Sequence, residues 1–427
     1  MQWPAFATPT GNSGAVMMRP QSAAHAPADI HSSQGRIVAL DGLRGLMTLF
    51  VLVSHYLAEV EHGWNAFECA WVAVQMFFVL SGFLIGRLIL EKKHHSNFFF
   101  VFYVRRCCRT LPIYLFCIVV VYAVMHAVGR QPYMNITSEF PLWSYLTFTQ
   151  NVFMAHTGTI GPHWLAPSWT LSVEEQFYLL APAMFVLTPK RWLLPVLIAG
   201  ALFAPAFRAA VYWGGVMPHL SALVYLPGSM DSLFCGLITA VIYKRVDVTG
   251  YDLHLRLAPL LALGLIVVLK LVDHHIENTM EVFSRFVVSV GCAAYLLAIV
   301  RGAPEARSLC SPIFCFFGNT NYAVYLTHIM VLGLMHGLIL GTMPDVHTPA
   351  QIAVTFAAFP VAIFAGWVTT RYVEEPISAY GRSFAWSNES REQKHPAPVL
   401  AQVHSRLSGL ATNSVMPAEA GTQSIFN

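Results

Sequence analysis

The sequence RIVALDGLRGLMTLFVLVSHY, residues 36–56, is an apolar run with an arginine near its start and a histidine near its end. Arg44 and His55 are eleven positions apart, which is close to three helical turns, so both side chains are predicted to lie on one face. At about 1.5 Å per residue they lie roughly 16 Å apart along the axis. Asp41 and Thr48 share this face. It therefore carries a cation near one end of a predicted membrane span and a titratable base towards the other.

Two interpretations of Arg44 and His55 are open. In the first, Arg44 anchors the helix end at the lipid headgroups and His55 hydrogen-bonds a neighbouring helix. In the second, both side chains are functional, because ionisable groups within membrane spans are rare and usually face a bundle interior or an aqueous cavity. The choice between them depends on the motifs in the other spans.

The composition excludes a water-soluble globular protein. Of the 427 residues, 56% are hydrophobic and 11% are charged, whereas soluble domains carry about 25% charged residues. The sequence therefore predicts an all-α polytopic membrane protein. The net charge of +3 is small and the basic residues lie in short clusters between apolar runs, so nucleic-acid binding has no support. The eight cysteines include no CxxC pair and no Cys/His cluster with metal-ligand spacing, so we expect neither a disulfide framework nor a metal site.

Apolar runs long enough to cross a bilayer predict a bundle of about ten transmembrane helices. They lie near residues 37–57, 69–90, 111–128, 168–187, 192–212, 224–243, 257–272, 281–300, 313–340 and 350–372. The predicted membrane domain covers residues 36–376. Residues 1–35 are predicted to be a disordered tail without a cleavable signal peptide, and residues 377–427 a largely disordered C-terminal tail.

Loop charge predicts the orientation of the bundle, because Lys and Arg accumulate on the cytoplasmic side. Most of the basic residues between spans lie in the even-numbered connections, which places both termini and Arg44 on the cytoplasmic side and His55 near the outer face. The connections predicted on the outer side include one long one, residues 129–167. Its portion EFPLWSYLTFTQNVF, residues 139–153, is predicted to lie along the interface as an amphipathic helix. This connection is either a functional loop or a simple interfacial cap.

A basic cluster, FYVRRCCRTLPIY, precedes the third predicted span and contains Arg105, Arg106 and Arg109. Arg106 and Arg109 are three positions apart, so on a helix they point the same way. Paired guanidinium groups suit phosphates, since each can donate two parallel hydrogen bonds. The alternative is an ordinary positive-inside anchor. The cluster is thus a candidate phosphate site at the inner mouth of the bundle.

The second span, VQMFFVLSGFLI, places the small residues Ser81 and Gly82 among large apolar ones. Small residues allow helices to approach closely, so tight packing is the favoured interpretation. A substrate channel beside Ser81 is the secondary one.

The fourth span begins PSWTLSVEEQFYLL and carries two consecutive carboxylates, Glu174 and Glu175. At about 100° per residue they point in different directions. A carboxylate facing His55 would hold the tautomer of the imidazole and stabilise the imidazolium, as in hydrolase triads. Alternatively, Glu174 is a structural partner for an arginine.

Two further polar residues lie in predicted spans, Asp231 in LPGSMDSLFCG and His328 in GNTNYAVYLTH. Each is either functional or a structurally satisfied group. The sequence contains no GxSxG elbow, Walker loop, GxGxxG or HExxH motif. Serine-hydrolase, nucleotide-motor and metalloprotease interpretations therefore have no support.

These motifs, taken in order over residues 36–376, resemble the membrane acyltransferase-3 family of bacterial enzymes that O-acylate envelope sugars. The ordered set is LDGLRG followed by SHY, FFVLSGFLI, RRCCRTLP, SWTLSVEEQFYLL, DSLFCG, NYAVYLTH and YVEEP. The chain departs from the family pattern in three places. Asn321 precedes Tyr322 where a serine is usual, Thr327 replaces a common Trp before His328, and Glu375 takes a position that is often basic.

The resemblance implies transfer of an acyl group, usually acetyl from cytoplasmic acetyl-CoA, to a sugar hydroxyl at or beyond the outer face of the bacterial inner membrane. The family's arginine and histidine separated by ten residues match Arg44 and His55, and its RxxR pair matches Arg106 and Arg109. We expect the lipid bilayer, an acyl-CoA donor and a carbohydrate or lipid-linked sugar acceptor as partners. No metal or nucleic acid is expected.

The expected roles follow from this match together with the helix geometry. His55 is the general base, Glu174 or Glu175 orients it, and Arg44 holds part of the CoA arm or its carbonyl. The donor is expected to contact Arg106, Arg109, Arg105 and Ser81. Supporting roles are expected for Asp41, Asp231, Tyr322 and His328.

Three other functions are open at this stage. A proton-coupled transporter would use the intramembrane Glu and His as a relay, but it predicts inverted repeats, and the sequence contains no convincing repeat. A membrane scaffold would use its charges only to hold helices together. Within the enzyme class, the acceptor is alternatively a small molecule of the macrolide type. Direct transfer is favoured over an acyl-histidine intermediate.

Overall fold

The computed structural model describes residues 37–245, 252–272 and 277–387, and these form an all-α bundle. The prediction of the all-α class is therefore confirmed. Most of the two predicted tails, residues 1–35 and 377–427, lies outside the described residues. The helices are α1 Val38–Leu57, α2 Ala70–Lys92, α3 Phe98–Val128, α4 Leu142–Leu146, α5 Gln150–Thr157, α6 Ser168–Leu187, α7 Lys190–Tyr212, α8 Ser221–Val224, α9 Leu226–Arg245, α10 Asp252–Val272, α11 Glu277–Val300, α12 Glu305–Leu309, α13 Pro312–Leu340, α14 Pro349–Thr369 and α15 Glu375–Ser383.

Within the described ranges, nine helical segments are long and apolar enough to cross a membrane. They correspond to nine of the predicted spans. The remaining predicted span, 168–187, is the 20-residue helix α6, which is not among the nine and carries two carboxylates in its first half. A 20-residue helix is about 30 Å long, so α6 has the length of a span without the usual apolar composition.

The bundle has two ends, which we name by their residues. The arginine end is where α1 begins and α2 ends, and the histidine end is where α1 ends and α2 begins. Helix α6 runs from the histidine end to the arginine end, because Lys93, just after α2, donates a hydrogen bond to the carbonyl of Phe185 near the end of α6 (3.2 Å). Polar residues near the middle of α6 therefore lie at an intermediate depth.

Glycines let α1 and α2 pack closely on their neighbours. A Cβ at Gly42 would lie 1.7 Å from the carbonyl oxygen of Leu309, and one at Gly82 would lie 2.0 Å from that of Leu233 in α9. Real Cβ atoms do not come this close to backbone oxygens, so both positions need glycine. The tight packing expected next to Ser81 is present, and it fixes the depth and rotation of α2.

Helix α3 is longer than the predicted third span, because it begins at Phe98 and continues for 31 residues to Val128. Pro112 lies inside it. The basic cluster therefore lies on the helix itself and not in the loop before it. This extension gives Arg105, Arg106 and Arg109 fixed directions around the axis of α3.

The long connection between α3 and α6 is partly helical. Its predicted interfacial segment, residues 139–153, contains α4 and the start of α5. Leu142, Trp143 and Leu146 of α4 are exposed, whereas Tyr145 is fully buried. The segment thus has one apolar exposed face and one face packed on the bundle, as expected of an amphipathic element.

A buried polar cluster joins α7, α9 and α11. Arg208 and Asp231 are both 0% exposed, and Nη2 of Arg208 lies 2.7 Å from Oδ2 of Asp231. The guanidinium also donates to the carbonyl oxygens of Val282 (2.9 Å) and Gly228 (2.6 Å), and the other Asp231 oxygen accepts the N–H of Ser232 (2.9 Å). Asp231, a predicted supporting site residue, therefore lies in a satisfied structural pair.

Candidate functional site

A cavity opens among α1, α2, α3, α6 and α13, with about 870 Å³ of empty space including the part open to solvent. Its lining includes both aromatic side chains and ionisable groups. The polar part includes Arg44, Ser81, Arg106, Arg109, Glu174 and Tyr322. Six of the residues predicted from sequence, taken from five helices, therefore share one cavity.

The three arginines of the cavity come from two helices. Arg44 on α1 pairs with Asp41 one turn earlier (Nη1–Oδ1, 3.1 Å), and its side chain is 17% exposed. The guanidinium of Arg106 lies over the ring of Tyr178, 5.0 Å from the centroid. Arg109 is exposed and also reaches the lining. As predicted, Arg106 and Arg109 face the same way, and they form a positively charged wall.

The carboxylates of α6 lie beside this wall. Glu174 lies next to the hydroxyl of Ser81 and within the field of Arg106, Arg109 and Arg44. Glu175 interacts with the hydroxyl of Thr110 and with Arg106, and its Oε1 is buried without a partner in the described residues. We expected one of these acids to orient His55, but the structure places both with the arginines. This is the alternative that the sequence left open for Glu174.

Two hydroxyl contacts shape the cavity wall. The Ser81 and Tyr178 hydroxyl oxygens are 2.5 Å apart, and the Tyr322 hydroxyl donates to the carbonyl of Thr110 (2.6 Å). The first contact joins two side chains, the second joins a side chain to a backbone carbonyl, and each connects two different helices. Ser81 and Tyr322 therefore fix the width of the cavity as well as lining it.

Tyr325 connects the cavity to His55, which is not itself part of the lining. Tyr325 lines the cavity, and its hydroxyl accepts a hydrogen bond from Thr170 (3.1 Å). Its ring centroid is 6.0 Å from that of His328, which in turn meets the ring of His55 edge-on at 5.0 Å. A continuous series of side chains thus runs from the arginine-lined cavity to the imidazole near the histidine end.

His328 has a fixed tautomer. Its Nδ1 faces two carbonyl oxygens, those of Tyr325 at 2.8 Å and Val324 at 3.2 Å, and a carbonyl can only accept, so Nδ1 carries the proton. The Nε2 atom is buried without a hydrogen-bond partner in the described residues. The backbone carbonyl of His328 accepts a hydrogen bond from Tyr56 next to His55 (2.9 Å). His328 is therefore a rigid, buried neighbour of His55 with one unused acceptor.

The carboxylate beside His55 is Glu59, which the sequence analysis did not single out. Oε2 of Glu59 lies 3.7 Å from Nδ1 of His55. The two residues are four positions apart, a spacing that brings side chains together on a helix. This spacing was the available signal, but Glu59 lies beyond the apolar run and resembles an ordinary loop residue.

Arg105 does not belong to the cavity lining, although we expected it to contact the donor. Its guanidinium donates to the carbonyl of Phe384 (Nη2–O, 2.7 Å) and lies over the ring of Trp386, 5.1 Å from the centroid. Asn97 also binds this segment through the carbonyl of Ala385 (3.0 Å). Arg105 thus holds residues 384–387 against the start of α3.

A second acid missed from sequence is Glu374. It lies in a single π-helical turn, Thr370–Glu374, and its Oε2 is buried without a partner in the described residues. The charge of Arg109 acts on it. The neighbouring Glu375 instead forms an exposed ion pair with Arg371 (2.6 Å). The π turn thus directs Glu374, and not Glu375, towards the cavity arginines.

Loops at the histidine end bring Glu61, His62 and Asp345 together, with ligand atoms within 4.8 Å of one another. His62 Nδ1 lies 2.8 Å from Asp345 Oδ2, and Asp345 Oδ1 accepts the N–H groups of His62 (3.1 Å) and Val346 (2.7 Å). Both oxygens of Asp345 are therefore used in joining the two loops. We assign this group a structural role.

Comparison with curated proteins gives several O-acetyltransferases as relatives. The peptidoglycan O-acetyltransferase OatA of Listeria monocytogenes is 25% identical, and the match covers 82% of this chain and 57% of the relative. A putative O-acetyltransferase of Staphylococcus aureus strain COL is 21% identical, with 81% and 58% covered. The O-acetyltransferase OatA of S. aureus strain NCTC 8325 is 29% identical over 34% of this chain and 24% of the relative. The chain spans less than two thirds of the length of these relatives.

No solved structure matches this chain. The model of an acyltransferase domain, that of the acyltransferase-3 family, matches residues 37–371, which is most of the chain and nearly all of the bundle. The ordered motifs on α1, α2, α3, α6, α9 and α13 fall inside this range, and YVEEP, residues 372–376, follows directly after it. The chain therefore belongs to the acyltransferase-3 family.

Proposed function

We propose that the protein moves an acetyl group from acetyl-CoA, bound at the arginine end, to a sugar hydroxyl that reaches His55 from the histidine end. The observation that carries this proposal is the cavity wall of Arg44, Arg106 and Arg109, which is linked through Tyr325 and His328 to His55. The wall and the imidazole lie at different depths of one bundle. A long donor with a charged head and a reactive end suits this separation.

The arginine pair on α3 suits the phosphates of CoA. Guanidinium groups make bidentate, charge-assisted hydrogen bonds to phosphate oxygens, and both Arg109, which is exposed, and Arg106, which is partly exposed, line the cavity. Two acidic side chains, Glu174 and Glu374, interact electrostatically with Arg109. The apolar part of the lining, with Phe77 and Phe78, accommodates the pantetheine arm.

The chemistry assigned to His55 is general base catalysis. The imidazole takes the proton of the acceptor hydroxyl as the oxygen forms its bond to the thioester carbonyl carbon. The carbon–sulfur bond then breaks, CoA leaves as a thiolate, and the thiolate takes the proton back from the imidazolium. Arg44, which faces the cavity from the same helix as His55, holds the donor arm during this exchange. Transfer is direct, without an acetyl-histidine intermediate.

The direction of transfer follows from the positive-inside rule. Lys92, Lys93, Lys190 and Arg191 all lie at the arginine end, so this end and both chain termini face the cytoplasm, where acetyl-CoA is made. The histidine end then faces outward across the inner membrane of a bacterium. The relatives named as O-acetyltransferases, one of them of peptidoglycan, support a hydroxyl of an envelope or exported glycan as the acceptor.

Replacing Arg106 with alanine is expected to weaken binding of CoA by about 10- to 100-fold, since each hydrogen bond to a charged group contributes about 1.5–3 kcal/mol. The measurement is equilibrium binding of CoA to the full-length protein in lipid nanodiscs. The matched control is Arg191→Ala, which removes the same charge at the same end of the bundle from an exposed position outside the cavity lining.

Arg191→Ala is expected to bind CoA as the wild type does. Equal affinity of Arg106→Ala and wild type for CoA would contradict a donor site at the α3 arginines. A loss shared equally by both variants would show that only the general charge of this end matters, which also contradicts the site.

A further inference from the structure

Glu59 is held in a defined position just beyond the end of α1. Its backbone N–H donates to the carbonyl of Ser54 (3.0 Å), and one of its carboxylate oxygens, Oε1, accepts a hydrogen bond from the Ser54 hydroxyl (3.0 Å). Ser54 is fully buried, and its hydroxyl oxygen also accepts the N–H of Cys69 (3.2 Å). The Ser54 hydroxyl thus links the Glu59 carboxylate both to α1 and to the loop that leads into α2.

The second carboxylate oxygen is directed to His55. Oε2 of Glu59 is 3.7 Å from Nδ1 of His55, and the side chains are 41% and 21% exposed, respectively. The Glu59 carboxylate therefore lies between the partly exposed imidazole of His55 and the solvent at the histidine end. A negative charge beside an imidazole favours its protonated form, and solvent screens part of this effect because Glu59 is exposed.

Two other imidazoles face this pair, and the charge of Glu59 also acts on Cys69 and Tyr325. His163, in the turn His163–Leu165 before α6, interacts electrostatically with both Glu59 and His55, and His328 of α13 packs its ring edge-on against His55. Partial burial lowers the pKa of His163, which Glu59 opposes. Burial likewise raises the pKa of Glu59, whereas the Ser54 hydroxyl and His163 lower it. Among the described residues that interact with His55 at the histidine end, the acidic side chain is that of Glu59.

We propose that Glu59 is the positioning residue of the base His55. Its charge, 3.7 Å from Nδ1, favours the tautomer with the proton on Nδ1, which leaves the Nε2 lone pair for the acceptor hydroxyl, and it stabilises the imidazolium formed during transfer. This inference rests on the proposed function, because it needs His55 as the base. It gives Glu59 the role that the sequence suggested for Glu174 or Glu175, which lie with the arginines instead.

The test is a double-mutant cycle of Glu59→Gln and His55→Ala. Glutamine keeps the size of the side chain and an oxygen that accepts from Ser54, but it removes the charge. Acetyl transfer from radiolabelled acetyl-CoA to the native glycan is measured in membrane vesicles from a deletion strain carrying each variant at matched amounts. Glu59→Gln alone is expected to lower kcat about 10- to 100-fold, a part of what general base catalysis supplies, with the KM for acetyl-CoA unchanged.

In the His55→Ala background, Glu59→Gln is expected to cause no further loss, because a residue that acts through another has no effect once that residue is absent. Glu59→Asp, which keeps the carboxylate, is expected to retain more activity than Glu59→Gln. Glu68→Gln is the matched control, since Glu68 is an exposed acid of the same loop, and its rate is expected to equal that of the wild type.

Two results would overturn the inference: a normal rate for Glu59→Gln, or the same fold loss in both backgrounds. If Glu59→Gln lowered the rate by misfolding, the loss would appear in the wild-type background, in the His55→Ala background and in Glu59→Asp. Such a loss is therefore a case of the second result. A fully active His55→Ala enzyme would instead contradict the proposed function. If His55→Ala were inactive while Glu59→Gln were fully active, only the inference about Glu59 would be contradicted, and the proposed function would stand.

Discussion

Replacing His55 with alanine is expected to lower the rate of acetyl transfer by about 10²- to 10⁴-fold, the usual contribution of a general base. The acceptor hydroxyl then has to lose its proton to water or to the leaving thiolate. Affinity for CoA is expected to stay unchanged, because His55 lies roughly 16 Å along α1 from Arg44 and outside the lining of the cavity. The measurement is the vesicle transfer assay together with CoA binding in nanodiscs.

The control for this variant is His94→Ala, which removes an exposed histidine at the opposite end of the bundle and is expected to leave the rate unchanged. Surface glycan acetylation, measured by mass spectrometry in a deletion strain, gives the same comparison in cells. Restoration of acetylation by His55→Ala to the level of the wild type would remove the proposed base.

Replacing Asp231 with alanine is expected to destabilise the folded protein by about 3–5 kcal/mol, because it leaves the charge of Arg208 buried without its partner. Arg208 and Asp231 are both 0% exposed, so solvent cannot replace the lost contact. The measurement is thermal unfolding of the purified protein in detergent. A large fall in Tm is expected even though Asp231 lies outside the cavity that carries the chemistry.

The double variant Arg208→Met with Asp231→Leu provides the comparison, since it removes both charges and keeps apolar volume. It is expected to unfold at a higher temperature than Asp231→Ala, because replacing both members of a buried pair avoids an unpaired charge. If Asp231→Ala kept the Tm of the wild type, the pair would not hold α7 and α9 together as described.

The helix period was enough to predict that the paired arginines of α3 face the same cavity. Arg106 and Arg109 lie three positions apart on a single helix, so their common direction follows from local geometry. The apolar runs likewise predicted the spans, because a bilayer sets their length and composition. Helix α6 departs from this rule, because it carries two carboxylates that lie beside arginines of other helices.

What the sequence did not predict depends on contacts between elements that are distant in the chain. Arg105 and Arg106 are neighbours, yet Arg105 binds the segment after α15 while Arg106 faces Tyr178 of α6. A single π turn gives Glu374 and Glu375 different surroundings, and no residue pattern predicts such a turn. The partner of His55 was missed for a different reason, because Glu59 lies just beyond the apolar run that defined α1.

Two-sided access is best tested by a structure, determined by electron cryomicroscopy, of the full chain in nanodiscs with a non-reactive thioether analogue of acetyl-CoA. We expect phosphate groups within hydrogen-bond distance of Arg106 and Arg109, an arm that follows the cavity past Tyr325, and the acyl end beside His55. An analogue bound away from these arginines, or one whose acyl end is separated from a sealed His55, would contradict the claim that one bundle joins a donor and an acceptor from opposite sides.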